Sequence, residues 1–147
     1  MPQPLIYKPD ERPAPINVIG EDLTILASKS QTAGYELFHQ DGKVGQGPPP
    51  HHHAWDEAFF VLKGSIEFGV EDQELTATPG TLVHIPGGSV HWFRFIEDGE
   101  MLSITGPGSG AAAFFTQVSE TVKHPQDIDN LVKSGDDHKV SFQPPEG

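Results

Sequence analysis

Apolar and polar residues alternate in short stretches through the first two thirds of the chain. From residue 65 to 70 every second position is isoleucine, phenylalanine or valine, which is the period of a strand with one buried face. Residues 57–62 form an almost continuous apolar run, as in a strand covered on both sides. Six more strands are predicted between glycine, proline or acidic turn residues, at 23–28, 34–39, 73–78, 81–85, 90–96 and 101–105. This spacing predicts an all-β sandwich or barrel.

The period changes after Gly110. Apolar residues then recur at helical spacing, which predicts one amphipathic helix with Ser109 as a possible cap; its stripe is Ala111, Phe114, Phe115, Val118 and Val122. A second short helix is predicted from Pro125 to Ser134, with Gly135 as its stop. We expect both helices to pack against the outside of the sheet. Residues 1–18 contain five prolines, which predicts an extended arm.

Length and composition are typical of one domain with a real core. We expect the 147 residues to form a single domain, with a barrel at about 20–108 and a helical extension at about 109–147. Cysteine is absent, so neither disulfides nor thiolate metal ligands are available. No apolar run approaches the roughly 20 residues of a membrane span, and the N-terminal residues do not have the pattern of a signal peptide. These features predict a cytoplasmic protein.

The charge balance argues against two classes of partner. The chain has 21 acidic and 9 basic residues and a formal net charge of -12. Such a surface repels phosphate backbones and anionic lipid, so we expect no nucleic-acid or membrane partner. A small-molecule substrate or ligand is the expected partner.

Three histidines and a glutamate are the candidate chemistry. Side chains alternate along a strand, so His51 and His53 point the same way and His52 points the other way. Glu57 keeps the parity of His51 and His53 if the segment stays extended. His91 begins a later strand. Two alternatives to this ligand set stay open. His52 could replace one of its neighbours as a ligand, or the three histidines could be an accidental tract without a metal.

Three imidazoles and one carboxylate suit a borderline divalent ion: Fe, Mn, Ni, Co, Cu or Zn. Such a set leaves one or two coordination positions open, and affinity alone does not select the metal. Phe93 and Phe95 share the parity of His91 and are, with Phe59, the expected pocket wall. His84 has the opposite parity to Val83 and Ile85 and is interpreted as a structural or supporting histidine behind the ligands.

Two motifs at these residues resemble those of the cupin superfamily. Gly45, His51, His53, Glu57 and Gly64 fill every fixed position of the first motif, G(X)5HXH(X)3–4E(X)6G. Gly80, Pro86, Gly88 and His91 fill the second, G(X)5PXG(X)2H(X)3N, up to its last position, where Phe95 replaces asparagine. The resemblance implies a double-stranded β-helix, also called a jelly-roll barrel. It also implies a metal set of His51, His53, Glu57 and His91, and often a homodimer.

The C-terminal region is similar to the helical extension of small quercetinase-like cupins. We therefore expect a metal-dependent dioxygenase acting on a small enolic, phenolic or flavonol-like molecule. Glu57 would remain a ligand or act as base on a substrate hydroxyl, and burial in an apolar pocket would raise its pKa. The alternatives are a non-catalytic binding or regulatory module and a non-redox isomerase or lyase. No second acid–base group stands on the same face in the sequence pattern, which counts against sugar epimerase chemistry.

Overall fold

Two antiparallel sheets enclose the interior of the protein. The computed structural model describes residues 3–124 and 126–143. The strands are β1 (Ile16–Val18), β2 (Glu21–Ala27), β3 (Glu36–Gly42), β4 (His51–His52), β5 (Glu57–Lys63), β6 (Ile66–Val70), β7 (Gln73–Ala77), β8 (Leu82–Ile85), β9 (His91–Phe95), β10 (Gly99–Thr105) and β11 (Ser141–Phe142). The helices are α1 (Ala111–Thr121) and α2 (Ile128–His138).

Strand order confirms the predicted jelly-roll architecture. One sheet has six strands in the order β1-β2-β3-β10-β5-β8, and the other has five in the order β11-β4-β9-β6-β7. Chain neighbours therefore often lie in different sheets, which is how a double-stranded β-helix is built. Two short strands are absent from the predicted pattern. β1 lies within the proline-rich stretch and β11 follows the second helix, whereas β4, the strand predicted to hold the paired histidines, is only two residues long.

The half of the barrel farther from the two helices, called the lower half, is filled by aromatic and branched side chains from both sheets. Phe59 from β5 and Phe68 from β6 lie with ring centroids 5.3 Å apart, and both are buried. The period-two pattern of β6 is confirmed, because Ile66 and Phe68 face this core. β5 is predicted to be covered on both sides, but within the described chain only its inner face is covered. Phe60 and Leu62 point out of the barrel and are exposed, since nothing in the described chain packs on the outer face of the six-stranded sheet there.

The two helices close the upper end of the barrel rather than covering its outside. Phe38 on β3 packs edge-on against Phe115 of α1, with centroids 5.0 Å apart. Phe38 and Gln40 share one face of β3, and Gln40 lines the interior cavity. The helices therefore pack on the inner face of the six-stranded sheet, contrary to expectation. Their apolar stripe is long enough to cover the part of that face which the shorter sheet leaves open.

A buried glutamate on β3 fixes the start of α1. Ser109 was predicted to cap this helix, but Gly110 occupies the N-cap position and has no side chain to do so. Glu36 Oε1 accepts hydrogen bonds from Ser109 Oγ at 2.8 Å and from the backbone N–H of Ala112 at 3.0 Å. Ser109 Oγ in turn accepts from the N–H of Ala111 at 3.0 Å. The carboxylate of Glu36, which belongs to β3, thus bonds to free N–H groups at the start of the helix.

The second helix begins and ends later than the pattern predicts. Asp127 is its N-cap and accepts a hydrogen bond from the N–H of Asn130, while Pro125 lies outside the described residues. The helix continues through Gly135 to His138 and ends at Lys139 in the left-handed conformation. Gly135 is needed for close approach rather than as a stop, because a Cβ there would lie 2.3 Å from the carbonyl oxygen of Val140.

Candidate metal centre

Three histidines from β4, the loop after it and β9 converge near the upper end of the barrel. His51 lies directly opposite His91 in the β4–β9 pair, with ring centroids 4.2 Å apart. His53 lies two residues beyond His51, on the same side, and its ring centroid is 5.0 Å from that of His91. One ring nitrogen from each histidine lies within 4.8 Å of the others. The parity predicted from strand alternation therefore brings these three side chains together.

Each of the three rings is held by its Nδ1 atom. His51 Nδ1 lies 2.9 Å from the carbonyl oxygen of Pro49, and His91 Nδ1 lies 2.9 Å from that of Ser89. His53 Nδ1 lies 3.0 Å from the carbonyl oxygen of Trp55. A carbonyl oxygen only accepts, so each Nδ1 donates its proton outward. The Nε2 atoms are left to face one another, which is how histidine ligands of metal ions are oriented.

The Nε2 atom of His91 lacks a partner. It is buried, and it makes no hydrogen bond within residues 3–124 and 126–143. Burial, reinforced by the neighbouring His91, lowers the pKa of His51 to about 3, so this imidazole is neutral at pH 7. Neutral imidazoles with unpaired nitrogens are the form that binds a metal. The cluster of His51, His53 and His91 therefore fits a divalent metal ion, whose identity the donor set leaves open.

Glu57 begins β5 beside this cluster. Its Oε1 lies 3.1 Å from His53 Nε2 and 3.4 Å from His91 Nε2. Burial alone would raise the pKa of Glu57, but the imidazoles of His53 and His91 close to its carboxylate outweigh it and bring the pKa well below its usual range. The expected rise in this pKa is therefore wrong, because the imidazoles stabilise the carboxylate more than burial destabilises it. Glu57 is ionised, as both a metal ligand and a proton acceptor must be.

His52 points away from the cluster, as the alternation predicts. Its Nδ1 accepts a hydrogen bond from Gln143 Nε2 at 3.2 Å, on the other side of the strand. In the structure His52 therefore does not reach the converging Nε2 atoms and lies outside the three-histidine group.

A cavity of about 50 Å³ opens beside the histidines. His51, His53 and Glu57 line it, and its walls are otherwise mostly apolar. Aromatic side chains come from β5, β9, α1 and β11, namely Phe59, Phe93, Phe114, Phe115 and Phe142. Concave, largely apolar space with a few converging polar groups is the usual form of a small-molecule site.

Two of the predicted supporting residues lie elsewhere. The structure places Phe95 below the cavity, where its ring packs against Phe93 and occupies the space over Gly42. His84 lies on β8 opposite Ala58, so its side chain is exposed on the outer face of the sheet. In strand β8 the alternate residues Val83 and Ile85 face the interior. The parity difference noted in the sequence puts His84 on the opposite side of the sheet from the ligands.

Two polar residues of the cavity wall escaped the sequence analysis. Glu21 and Gln40, on β2 and β3, are buried and line the same cavity as Glu57. The expectation that no second acid–base group would share this space is therefore wrong. The sequence contained an indication of this, because Glu21 lies two residues before Leu23 and so falls on the same, apolar face of the strand. The predicted strand began only at residue 23 and left Glu21 out.

Comparison with known proteins agrees with this picture. Residues 38–105 match the Cupin domain family model. A quercetin 2,3-dioxygenase of Bacillus subtilis is 29% identical over 72 residues, which is 48% of this chain and 21% of that protein. An acireductone dioxygenase of Sulfurihydrogenibium sp. is 31% identical over 84 residues, or 54% of this chain and 43% of that protein. The chain thus spans less than half the length of either relative.

A solved structure shares the fold. KdgF from Halomonas sp. superposes with a TM-score of 0.65 at 20% identity, covering 71% of this chain and 94% of that one. The jelly-roll barrel, the two motifs and the histidine cluster are compatible with a cupin-type metal site. Residues 38–105 thus resemble the cupin family in sequence, and the barrel has the fold of this solved structure. No helix in the described part of the chain is long and apolar enough to cross a membrane.

Proposed function

We propose that the protein is a metal-dependent dioxygenase-type oxidoreductase that acts on a small enolic or phenolic molecule. The observation that supports this most is the ionised Glu57 beside three convergent imidazoles, of which His51 and His53 line the same aromatic-walled cavity as Glu57. His51, His53 and His91 would hold the ion, with Glu57 as a fourth ligand or as a base. A bound redox-active ion would polarise the substrate oxygen and supply the electron transfer that oxygen chemistry needs.

Glu57 is the residue to which we assign proton transfer. Glu57 is ionised at neutral pH, and it could accept the proton of an enol or phenol hydroxyl whose acidity a bound metal ion would increase. Phe59 and Phe93 lie against the same space, so they would hold a planar enol in place and exclude water. The resulting enolate is the electron-rich form that reacts with oxygen.

The size of the cavity favours the smaller members of the proposed substrate class. Its volume of about 50 Å³ corresponds to a few water molecules. A ligand of about five or six non-hydrogen atoms matches this space, since one water occupies roughly 30 Å³ of liquid and 10–15 Å³ of such a cavity. Phenols are larger than this, so small enols fit the cavity as it stands and phenols would require its walls to move. A flavonol-sized molecule would enter only if the C-terminal segment that carries Phe142 moved aside.

The test is oxygen uptake by the metal-loaded protein with small enolic and phenolic compounds, run with and without oxygen. We expect substrate loss only when oxygen is present. Glu57→Gln should lower turnover by about 100-fold or more, as for removal of a general base. Glu67→Gln is the matched control, because Glu67 lies on the outer side of β6 near Arg94. Substrate loss that continues unchanged under argon would refute the oxygenase assignment.

A non-redox isomerase or lyase is the second candidate. It is favoured by the presence of Glu21 and Glu57 in one cavity with pKa values displaced in opposite directions. Two carboxyl groups held in different protonation states can serve as an acid and a base. Turnover that requires metal but not oxygen would support this candidate. A ligand that binds without being converted would instead indicate the binding or regulatory module.

The homodimer and the cytoplasmic location also remain proposals. The outer face of the six-stranded sheet exposes Phe60, Leu82 and Ile104 on adjacent strands, which is an apolar surface that a second copy could cover. Sedimentation of the wild-type protein and of Leu82→Lys would test this, with a monomeric wild type as the contradicting result. Cell fractionation would test the location.

A further inference from the structure

We propose that Glu21 and Gln40 form a binding site for a ligand oxygen on the cavity wall, separate from the metal ligands. These two residues, called the wall pair, would bind the far end of a small ligand whose other end lies at the histidines. The wall pair selects molecules with a hydroxyl or carbonyl oxygen at that far end. The inference rests on the proposed function only in that a small oxygenated ligand is anchored at the histidine cluster.

The first support is the burial and bonding of the two side chains. Glu21 is 4% exposed and Gln40 is 3% exposed. Gln40 Nε2 donates to Glu21 Oε1 at 3.1 Å. Within the described residues this is the one side-chain hydrogen bond that either of them makes. A carboxyl oxygen of Glu21 and the amide oxygen of Gln40 therefore remain unpaired beside the cavity.

The second support is the protonation of Glu21. Burial raises the pKa of Glu21 to about 8, and the hydrogen bond from Gln40 only partly opposes this. At pH 7 the group is a neutral carboxylic acid, and its hydroxyl is a hydrogen-bond donor. The wall pair therefore offers a donor from Glu21 and an acceptor from Gln40, which is the complement of a hydroxyl group or of a hydrated carbonyl.

The third support is the contrast between the pair and its surroundings. No atom of Glu21 or Gln40 is among the enclosed side-chain atoms without a partner in the described residues, so their free oxygens are open to the cavity. The rest of this wall is apolar, including Val18, Ile19 and Phe115. No other side chain of the described chain bonds to the pair, so the fold does not use it to join elements beyond β2 and β3. A ligand oxygen would complete its hydrogen bonding.

Two matched probes test the wall pair without requiring turnover. Hydroxyacetone and dihydroxyacetone are both α-hydroxyketones that can chelate a metal and form an enediol, and they differ by one hydroxyl at the far end. Their affinities for the Co(II)-loaded protein would be measured by the change in the Co(II) absorption spectrum. We expect the wild type to bind dihydroxyacetone about three- to tenfold more tightly, which is the usual range for one additional hydrogen bond.

The variant replaces both members of the pair by apolar residues of similar size, Glu21→Met with Gln40→Leu. We expect it to bind hydroxyacetone as the wild type does and to lose the preference for dihydroxyacetone. A second readout is the infrared band of a protonated carboxyl group, which should be present in the wild type, shift with dihydroxyacetone and be absent in Glu21→Gln. Equal affinity of the wild type for both ketones, or binding of neither, overturns the proposal.

The two proposals fail in different ways. Oxygen uptake plays no part in these measurements, so a retained preference without any oxygen-dependent turnover would reject the dioxygenase and keep the wall pair. Oxygen-dependent turnover in a protein that shows no such preference would do the reverse.

Discussion

Phe142 lies directly opposite His51 in the antiparallel pair of β11 and β4, and their ring centroids are 5.6 Å apart. The N–H of Gln143 donates to the carbonyl oxygen of Pro50 at 3.0 Å, which ties the end of the chain to the segment before the histidines. Phe142 also lines the cavity. The C-terminal strand is thus one wall of the candidate metal centre, although it lies some 90 residues from His51 in the sequence.

Phe142→Ala should increase access to the metal centre. Loss of this ring weakens the packing of β11 against β4. If the free energy that keeps β11 in place falls by about 1.4 kcal/mol, the fraction of molecules with β11 displaced rises tenfold. We expect bound Zn(II) to pass to a chromophoric chelator about tenfold faster, as measured by stopped-flow absorbance. Gln143→Ala keeps the backbone bond to Pro50 and serves as the control. Equal release rates in Phe142→Ala and wild type would show that β11 does not limit access.

His53→Ala should abolish stoichiometric metal binding while the barrel stays folded. The substitution removes one of three Nε2 atoms that face one another and leaves the β4–β9 pairing in place. Elemental analysis of metal per chain should fall from about one to near zero, with circular dichroism unchanged. His52→Ala is the matched control, since it removes an adjacent imidazole of opposite parity. Undiminished metal content in His53→Ala would mean that the ligand assignment is wrong.

Glu21 should make the protein less stable as the pH rises. Its folded pKa of about 8 lies above the ordinary value of 4.5, so the folded state binds the proton more tightly than the unfolded state does. The stability is fully present below pH 4.5 and is lost as the pH rises toward 8. Because a tenfold difference in proton affinity corresponds to about 1.4 kcal/mol, we expect a decline on the order of 3 kcal/mol between pH 5 and 8.

Urea unfolding of the wild type and of Glu21→Gln at pH 5 and pH 8 would measure this effect. Glutamine at position 21 can still accept the hydrogen bond from Gln40 but does not titrate. At pH 8 the variant should therefore be more stable relative to the wild type than it is at pH 5. A difference that does not change with pH would show that Glu21 does not hold its proton in the folded state.

Glu36→Ala should lower the free energy of unfolding by about 3 kcal/mol, because it leaves buried donors unsatisfied. The buried donors are Ser109 Oγ and the N–H of Ala112, and Glu36 Oε2 also accepts from the half-buried N–H of Lys29. Chemical denaturation would measure the loss, and the amide protons of the first turn of α1 should exchange faster. Glu67→Ala, at a half-buried position with a long 3.6 Å ion pair to Arg94, should change stability by less than about 0.5 kcal/mol. A loss in Glu36→Ala no larger than this control would contradict the capping role.

The sequence by itself determined which residues could bind a metal and on which side of a strand they lie. His51 and His53 share a face because side chains alternate along an extended backbone, and this holds without knowledge of the fold. The strand spacing likewise predicted an all-β sandwich or barrel, since turns and alternation are local properties, and the resemblance of the two motifs to those of cupins implied the jelly-roll class. The same local rule separated His52 from its neighbours.

Only the tertiary structure decided what surrounds these residues. The pKa of Glu57 is lowered because folding places His53 and His91 against it, and alternation along one strand contains no information about that charge environment. Glu21, Gln40 and Phe142 reach the cavity through strand pairings whose partners are far apart in the sequence. The chemistry of the site depends on these long-range contacts, because hydrogen bonding and burial are set by the neighbours in space rather than by those along the chain.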